Sequence, residues 1–178
     1  MTPTAILITA AALTGATGER LAAPALPDYV TGYEAADPRY DMAIREEVRQ
    51  GETVEAWTHM VTTQRFGTLA AKVTPVDFAR DVARRMIAAC PGAKATSPDP
   101  LTLAGHPAVR LEVACPLLAQ TGKSETMLLL AITGPRDLHV KQVAFRGGQT
   151  AADLDWGRRF LDRVSLCVAG ETAAGCRN

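Results

Sequence analysis

The sequence lacks every short motif that announces a common chemistry. It holds no HExxH, no GxSxG, no Walker phosphate loop and no GxGxxG, so the zinc-peptidase, hydrolase, nucleotidase and dinucleotide-binding readings lose their local support. Gly122-Lys123-Ser124 has the ending of a phosphate loop, but Leu117 stands where the first glycine belongs, and the segment reads as a turn. An excess of one charge is missing too. The 19 Lys and Arg balance 19 Asp and Glu, so no basic field draws the chain to nucleic acid or anionic lipid. No uncharged apolar run reaches the roughly 18 residues of a membrane span. The cysteines form no CxxC pair, and none has a second Cys or His at zinc-ligand spacing. These absences set the expectation of a protein that is not an enzyme and carries no cofactor and no metal.

What is present is one domain's worth of chain: 178 residues, 47% apolar and 21% charged, within globular averages. Met1 to Gly18 has no charged side chain, and Thr4 to Leu13 is an apolar stretch of leader length. Small residues at Thr14 and Ala16 suit leader cleavage after Ala16; a second option follows Ala23. Only the α-amino group supplies positive charge ahead of Arg20, and the alternative is an uncleaved helix that docks on the domain or on a partner. Residues 1–16 are therefore read as a leader, 17–28 as a linker, 29–168 as a single domain and 169–178 as a C-terminal tail. The location is periplasmic or secreted.

Cys90, Cys115, Cys167 and Cys176 agree with export. Four cysteines allow three connectivities. The expected pairs are Cys90–Cys115, which ties a helix end to a strand, and Cys167–Cys176, which pins the tail. The alternative is that Cys90 and Cys115 are buried thiols.

Periodicity supplies the element order. Tyr29 to Glu34 reads as a strand. Tyr40 to Arg49 alternates Met42, Ile44 and Val48 with Arg45, Glu47 and Arg49, the period of a half-buried strand. Thr53 to Trp57 reads as one helical turn, and Thr58 to Phe66 as a β-branched strand. Thr74-Pro75-Val76-Asp77 opens a helix whose apolar face is Phe78, Val82, Met86, Ile87 and Cys90; Pro91-Gly92 ends it. Leu101–Leu103 and Ala108–Cys115 form a hairpin. Met127 to Ile132 is apolar throughout, the mark of a strand covered on both faces. Leu138 to Arg146 alternates again, Thr150 caps a second helix with Asp153 in the box position, and Leu166 to Val168 is a last short element. Runs of strands joined by hairpin-length links predict an α+β fold with a mainly antiparallel sheet.

Chemistry-bearing residues are sparse. His59, His106 and His139 match no ligand spacing. A dispersed hydrolase site would need His59 with Arg65, or His139 with Lys141, to converge in one cleft. The paired arginines Arg84-Arg85 and Arg158-Arg159, one pair on each helix, are the candidate interface residues, because guanidinium groups bind carboxylate or phosphate bidentately; the alternative is a solvated helix face paired to Asp81, Asp155 and Asp162.

The segment Gly51-Glu52-Thr53-Val54-Glu55-Ala56-Trp57-Thr58-His59-Met60-Val61-Thr62, with the helix ending Cys90-Pro91, resembles a group of uncharacterised exported proteobacterial proteins that share a GxTVExW segment. The element order over residues 28–168 resembles the PsbP-like superfamily, which includes DcrB and the Eag chaperones. That resemblance implies helices on both faces of an antiparallel sheet and a role in binding proteins and assisting assembly. It implies no catalytic residues, and the lipidated cysteine of the DcrB pattern is missing. The expected function is an exported, non-enzymatic module that binds or stabilises a protein partner of the bacterial envelope. The alternatives are an inhibitor or immunity-type protein, and the dispersed hydrolase. The oligomeric state stays open.

Overall fold

Alternating strands become one antiparallel sheet with a helix against each of its faces. A computed structural model of the chain describes Leu13, residues 18–170 and Cys176. Apart from Leu13, the expected leader, 1–16, lies outside the described residues, as does most of the expected tail. The strands are β1 (Arg20–Ala22), β2 (Tyr29–Asp37), β3 (Met42–Arg49), β4 (His59–Phe66), β5 (Lys94–Ala95), β6 (Asp99–Leu103), β7 (His106–Leu118), β8 (Lys123–Thr133), β9 (Leu138–Arg146) and β10 (Ser165–Cys167); the helices are α1 (Pro75–Ala89) and α2 (Ala151–Leu161). The main sheet runs β2-β3-β4-β9-β8-β7-β5, with β6 also paired to β7; β1 and β10 form a separate antiparallel pair.

The apolar run of β8 explains the layering. Met127, Leu129 and Ala131 point to one face and pack under α1 with Val109, Leu111 and Val140. Leu128, Leu130 and Ile132 point to the other and pack under α2 with Val143, Phe145 and Phe160. Every residue from Met127 to Ile132 is at most 3% exposed, because side chains alternate across a strand and both sides are roofed. Both helices begin as their sequences dictate. The Thr74 hydroxyl accepts from the Asp77 N–H and Pro75 fills the first turn. Thr150 and Asp153 form a reciprocal capping box.

The β6–β7 hairpin turns on Ala104 and Gly105, both at positive φ, which matches the right-handed twist of the flanking strands. Cys90–Cys115 ties the end of α1 to β7, and Cys167–Cys176 holds the tail to β10. Among the described residues, no helix is long and apolar enough to cross a membrane.

Two local expectations change. Thr53 to Trp57 is not a helical turn: Thr53 and Ala56 exchange backbone hydrogen bonds of 3.3 and 3.1 Å, a closed loop that lets Trp57 turn inward. Within the stretch read as linker, Arg20–Ala22 pairs with β10. Two-proline segments carry no periodicity, so a partner 145 positions away (Leu21 with Leu166) leaves no local trace.

Candidate functional site

On the α1 side the helix roofs only half of the sheet, and over part of the other half Val54 and Trp57 bury Val48, Met60 and Ala144. That helix covers β7 and β8 and reaches the Leu138–Val140 end of β9. On β2, β3 and β4 the same face carries Val30, Tyr33, Ile44, Glu46, Thr62 and Gln64, as register and alternation require. Val30 is 43% exposed and Tyr33 45%. Between this face and the Thr53–Trp57 loop lies a groove of about 270 Å3. Its floor is Glu46, Thr62, Gln64 and Gln142, and one wall is Val54, Trp57 and Met60. The segment singled out in the sequence, Gly51 to Thr62, thus builds that wall. Trp57 is held in place by the Arg146 guanidinium, 3.8 Å above its ring, and Arg146 Nε donates to Glu125 at 3.2 Å. Partial burial raises the Glu46 carboxyl above the ordinary carboxylate value. Beside the groove β2 ends the sheet. A bulge between Thr31 and Tyr33 interrupts its register, a common guard on a free edge.

The opposite face of the same strands is closed by the N-terminal segment over a polar seam. Arg65 faces His139 and Thr63 faces Lys141 across β4 and β9. Glu19 is fully buried there. Its carboxylate accepts the backbone N–H groups of Arg136 at 3.0 Å and Asp137 at 3.1 Å, and it approaches His139 Nε2 to 3.4 Å. Gly134 admits it, because a Cβ at that position would overlap the carboxylate. Asp137 accepts from Arg65 at 3.2 Å and from the Thr68 N–H at 3.0 Å. Asp41 joins Arg65 and Arg136 at 2.8 and 3.0 Å.

The donor atoms of Glu19, Asp137 and His139 lie within 4.8 Å of one another, a nitrogen and oxygen set of the kind zinc accepts. Both carboxylates are already engaged by N–H groups, and two guanidinium groups stand against the cluster. The arrangement fits a staple that ties the N-terminal segment to the β8–β9 turn. Burial holds the His139 imidazole below its usual value, against the pull of Glu19 and Asp137.

Further along the seam, Lys141 is the most buried amine described. Its side chain is 6% exposed. Nζ donates to Thr63 Oγ1 at 2.6 Å and lies 3.6 Å from Glu47. Burial lowers its pKa, with Glu47 opposing.

The histidine and arginine candidates do not meet in one site. His59 sits at the start of α2, 3.1 Å from Asp153, while Arg65 lies at the far end of β4. His139 and Lys141 share the seam, but His139 is 1% exposed and committed to the Glu19 staple. His106 opens β7. Arg84 and Arg85 both pair with Asp81 on their own helix. Arg158 grips Glu112 of β7 through two bonds of 2.7 and 2.8 Å, and Arg159 is exposed on α2. Since α1 and α2 lie on opposite faces, the two arginine pairs form no common patch.

Sequence reasoning missed Glu19, and it placed Lys141 only beside His139 in a dispersed site. Lys141 did leave a signal: it occupies an inward position of an alternating strand, between His139 and Val143. Glu19 left none, because its partners are backbone groups of a distant turn.

Comparison with protein-family models and with curated proteins yields no match. Among solved structures, LpqN of Mycobacterium tuberculosis, described as involved in cell envelope biogenesis, matches with a TM-score of 0.48 and 13% identity over 85% of each chain. PA94 of Pseudomonas aeruginosa, of unknown function, matches with a TM-score of 0.43 and 17% identity over 73% of this chain and 80% of that one. Likeness at this level fixes neither a family nor an activity.

Proposed function

We propose that the chain is an exported, non-enzymatic module that binds another protein of the bacterial envelope through the open half of its sheet. The observation that carries this reading is the face of β2, β3 and β4 that no described helix covers, with Val30 and Tyr33 exposed on the edge strand β2. A free edge supplies unpaired backbone groups to an incoming extended segment, and pockets for alternate side chains supply selectivity. The Gln, Glu and Thr floor offers donors and acceptors to the partner's backbone, while the two apolar side chains supply area to bury. The leader-like N-terminus and the two disulfides support export. A helix on each face of an antiparallel sheet accords with the PsbP-like resemblance, whose members mostly bind proteins.

The test is affinity capture of tagged protein from the envelope of its native cells. Wild type is expected to bring down a reproducible partner. Tyr33→Asp and Val30→Asp are expected to lose it, and Arg84→Ala, on the roofed side, to keep it. If wild type captures nothing reproducible, or if both face variants retain the partner, the reading fails.

A further inference from the structure

The N-terminal segment does more than staple itself to the β8–β9 turn. Past β1, residues Ala23 to Leu26 cross the α2-side face of β3 and β4 and border a half-open cavity of about 360 Å3, within the range of small-molecule sites. Its walls differ sharply in chemistry. Leu21, Ala23, Pro24, Ala25 and Leu26 make the roof apolar. The rest is polar: Thr63 and Glu47 stand with the three cations Arg20, Arg45 and Lys141.

All four charged groups have assigned partners. The Arg45 guanidinium is held by Glu34 at 2.7 Å, Arg20 Nη2 donates to the Cys176 carbonyl at 3.5 Å, and Glu47 sits at 3.6 Å from Lys141. Lys141 is a desolvated amine with one short bond, to the Thr63 hydroxyl, a longer ion pair to Glu47 and the Phe160 ring 5.7 Å away. An ammonium so deeply buried loses hydration that a single carboxylate at 3.6 Å returns only in part. A ligand anion placed against it would add to that return.

Leu13, from the apolar N-terminal stretch, adds one more aliphatic side chain to the lining.

We propose that the cavity beneath the N-terminal strap binds a small aliphatic carboxylate, its anionic head on Lys141 and its chain against Leu21 and Leu26. Head and chain match the two halves of the site: charge-assisted bonds form at a buried amine, and an acyl chain lies against the apolar roof. If the leader is cleaved after Ala16, Leu13 leaves and the site opens. Cleavage after Ala23 would instead remove Glu19, β1 and most of the roof. The site is separate from the protein-binding face, so either proposal can fail alone.

Titration calorimetry of disulfide-intact protein beginning at Thr17, with octanoate as probe, tests this. One octanoate per chain is expected, with 1-octanol at least about ten-fold weaker because it lacks the anionic head. Lys141→Met is expected to weaken octanoate to the level of octanol. Ala25→Trp, at the exposed mouth, leaves the amine in place and is expected to block both probes. No octanoate binding by folded wild type would overturn the proposal. Equal binding of octanoate and octanol would overturn the assignment of the head to Lys141. Near-ultraviolet circular dichroism of each variant separates loss of the site from loss of the fold.

Discussion

The two halves of the sheet are built from the same kind of strand and treated in opposite ways. The half containing β7, β8 and most of β9 has a helix on each face, and its central strand is apolar without interruption. The half containing β2, β3 and β4 has, among the described residues, no helix over its α1-side face, and its other face is closed by a strap over charged groups. Stability is therefore concentrated in the first half, where dense burial of aliphatic side chains dominates. Chemistry is concentrated in the second, where polar groups are partly desolvated and grooves remain. A scaffold that is rigid on one side leaves the other free to present groups to a partner or ligand.

Truncations at matched positions test that contrast most strongly. Leu130→Ala and Leu129→Ala, one on each face of β8, are expected to cost about 2–5 kcal/mol each by cavity formation. Ile44→Ala, on the open face of β3, is expected to cost under about 1 kcal/mol. Urea unfolding monitored by circular dichroism reads both, and equal losses would erase the distinction.

Replacing Cys90 and Cys115 together by serine is expected to cost roughly 3 kcal/mol, and removing Cys167 and Cys176 somewhat less, since the second bridge closes a shorter loop. Thermal melts of the two double variants compare them directly.

On the strap, Glu19→Gln turns an amide donor toward backbone N–H groups that need acceptors. A loss of about 1–3 kcal/mol is expected. A change within error would mean that the buried carboxylate does not hold the strap.

Asp153 provides a smaller, pH-dependent test at the junction of α2 with β4. Hydrogen bonds from the Thr150 backbone and hydroxyl and from His59 lower its pKa to about 2 from an ordinary 3.8. A folded value below the unfolded one adds stability above the unfolded value, and that stability is lost as pH falls through the folded value. Asp153→Asn is expected to destabilise by about 0.5–1 kcal/mol at neutral pH. The difference from wild type should shrink between about pH 4 and pH 2. A gap unchanged across that window would show that the carboxylate charge is not the cause.

The smallest effect is expected at Arg84→Ala and Arg85→Ala, within about 0.5 kcal/mol, because exposed pairs along one helix gain little over solvation. A large loss would mean that Asp81 supports more than its own helix.

Local chemistry alone determined much of this molecule. Thr74-Pro75 and Thr150 with Asp153 mark the helix starts because orphan N–H groups need caps. The apolar run from Met127 to Ile132 announces a strand roofed on both sides, and the alternation of β3 and β9 announces strands with two unlike faces. The two disulfides are the expected pairs, one of three connectivities that four cysteines allow. What only the tertiary structure decided is which distant groups share a face. Glu19 meets the Arg136–Asp137 turn, Lys141 meets Thr63 and Glu47, and the Gly51–Thr62 segment walls a groove on the sheet half that α1 leaves bare. Propensity and periodicity act over a few residues. The order in which strands pair is set by the burial of complementary faces, and that free energy appears only when the whole sheet is assembled.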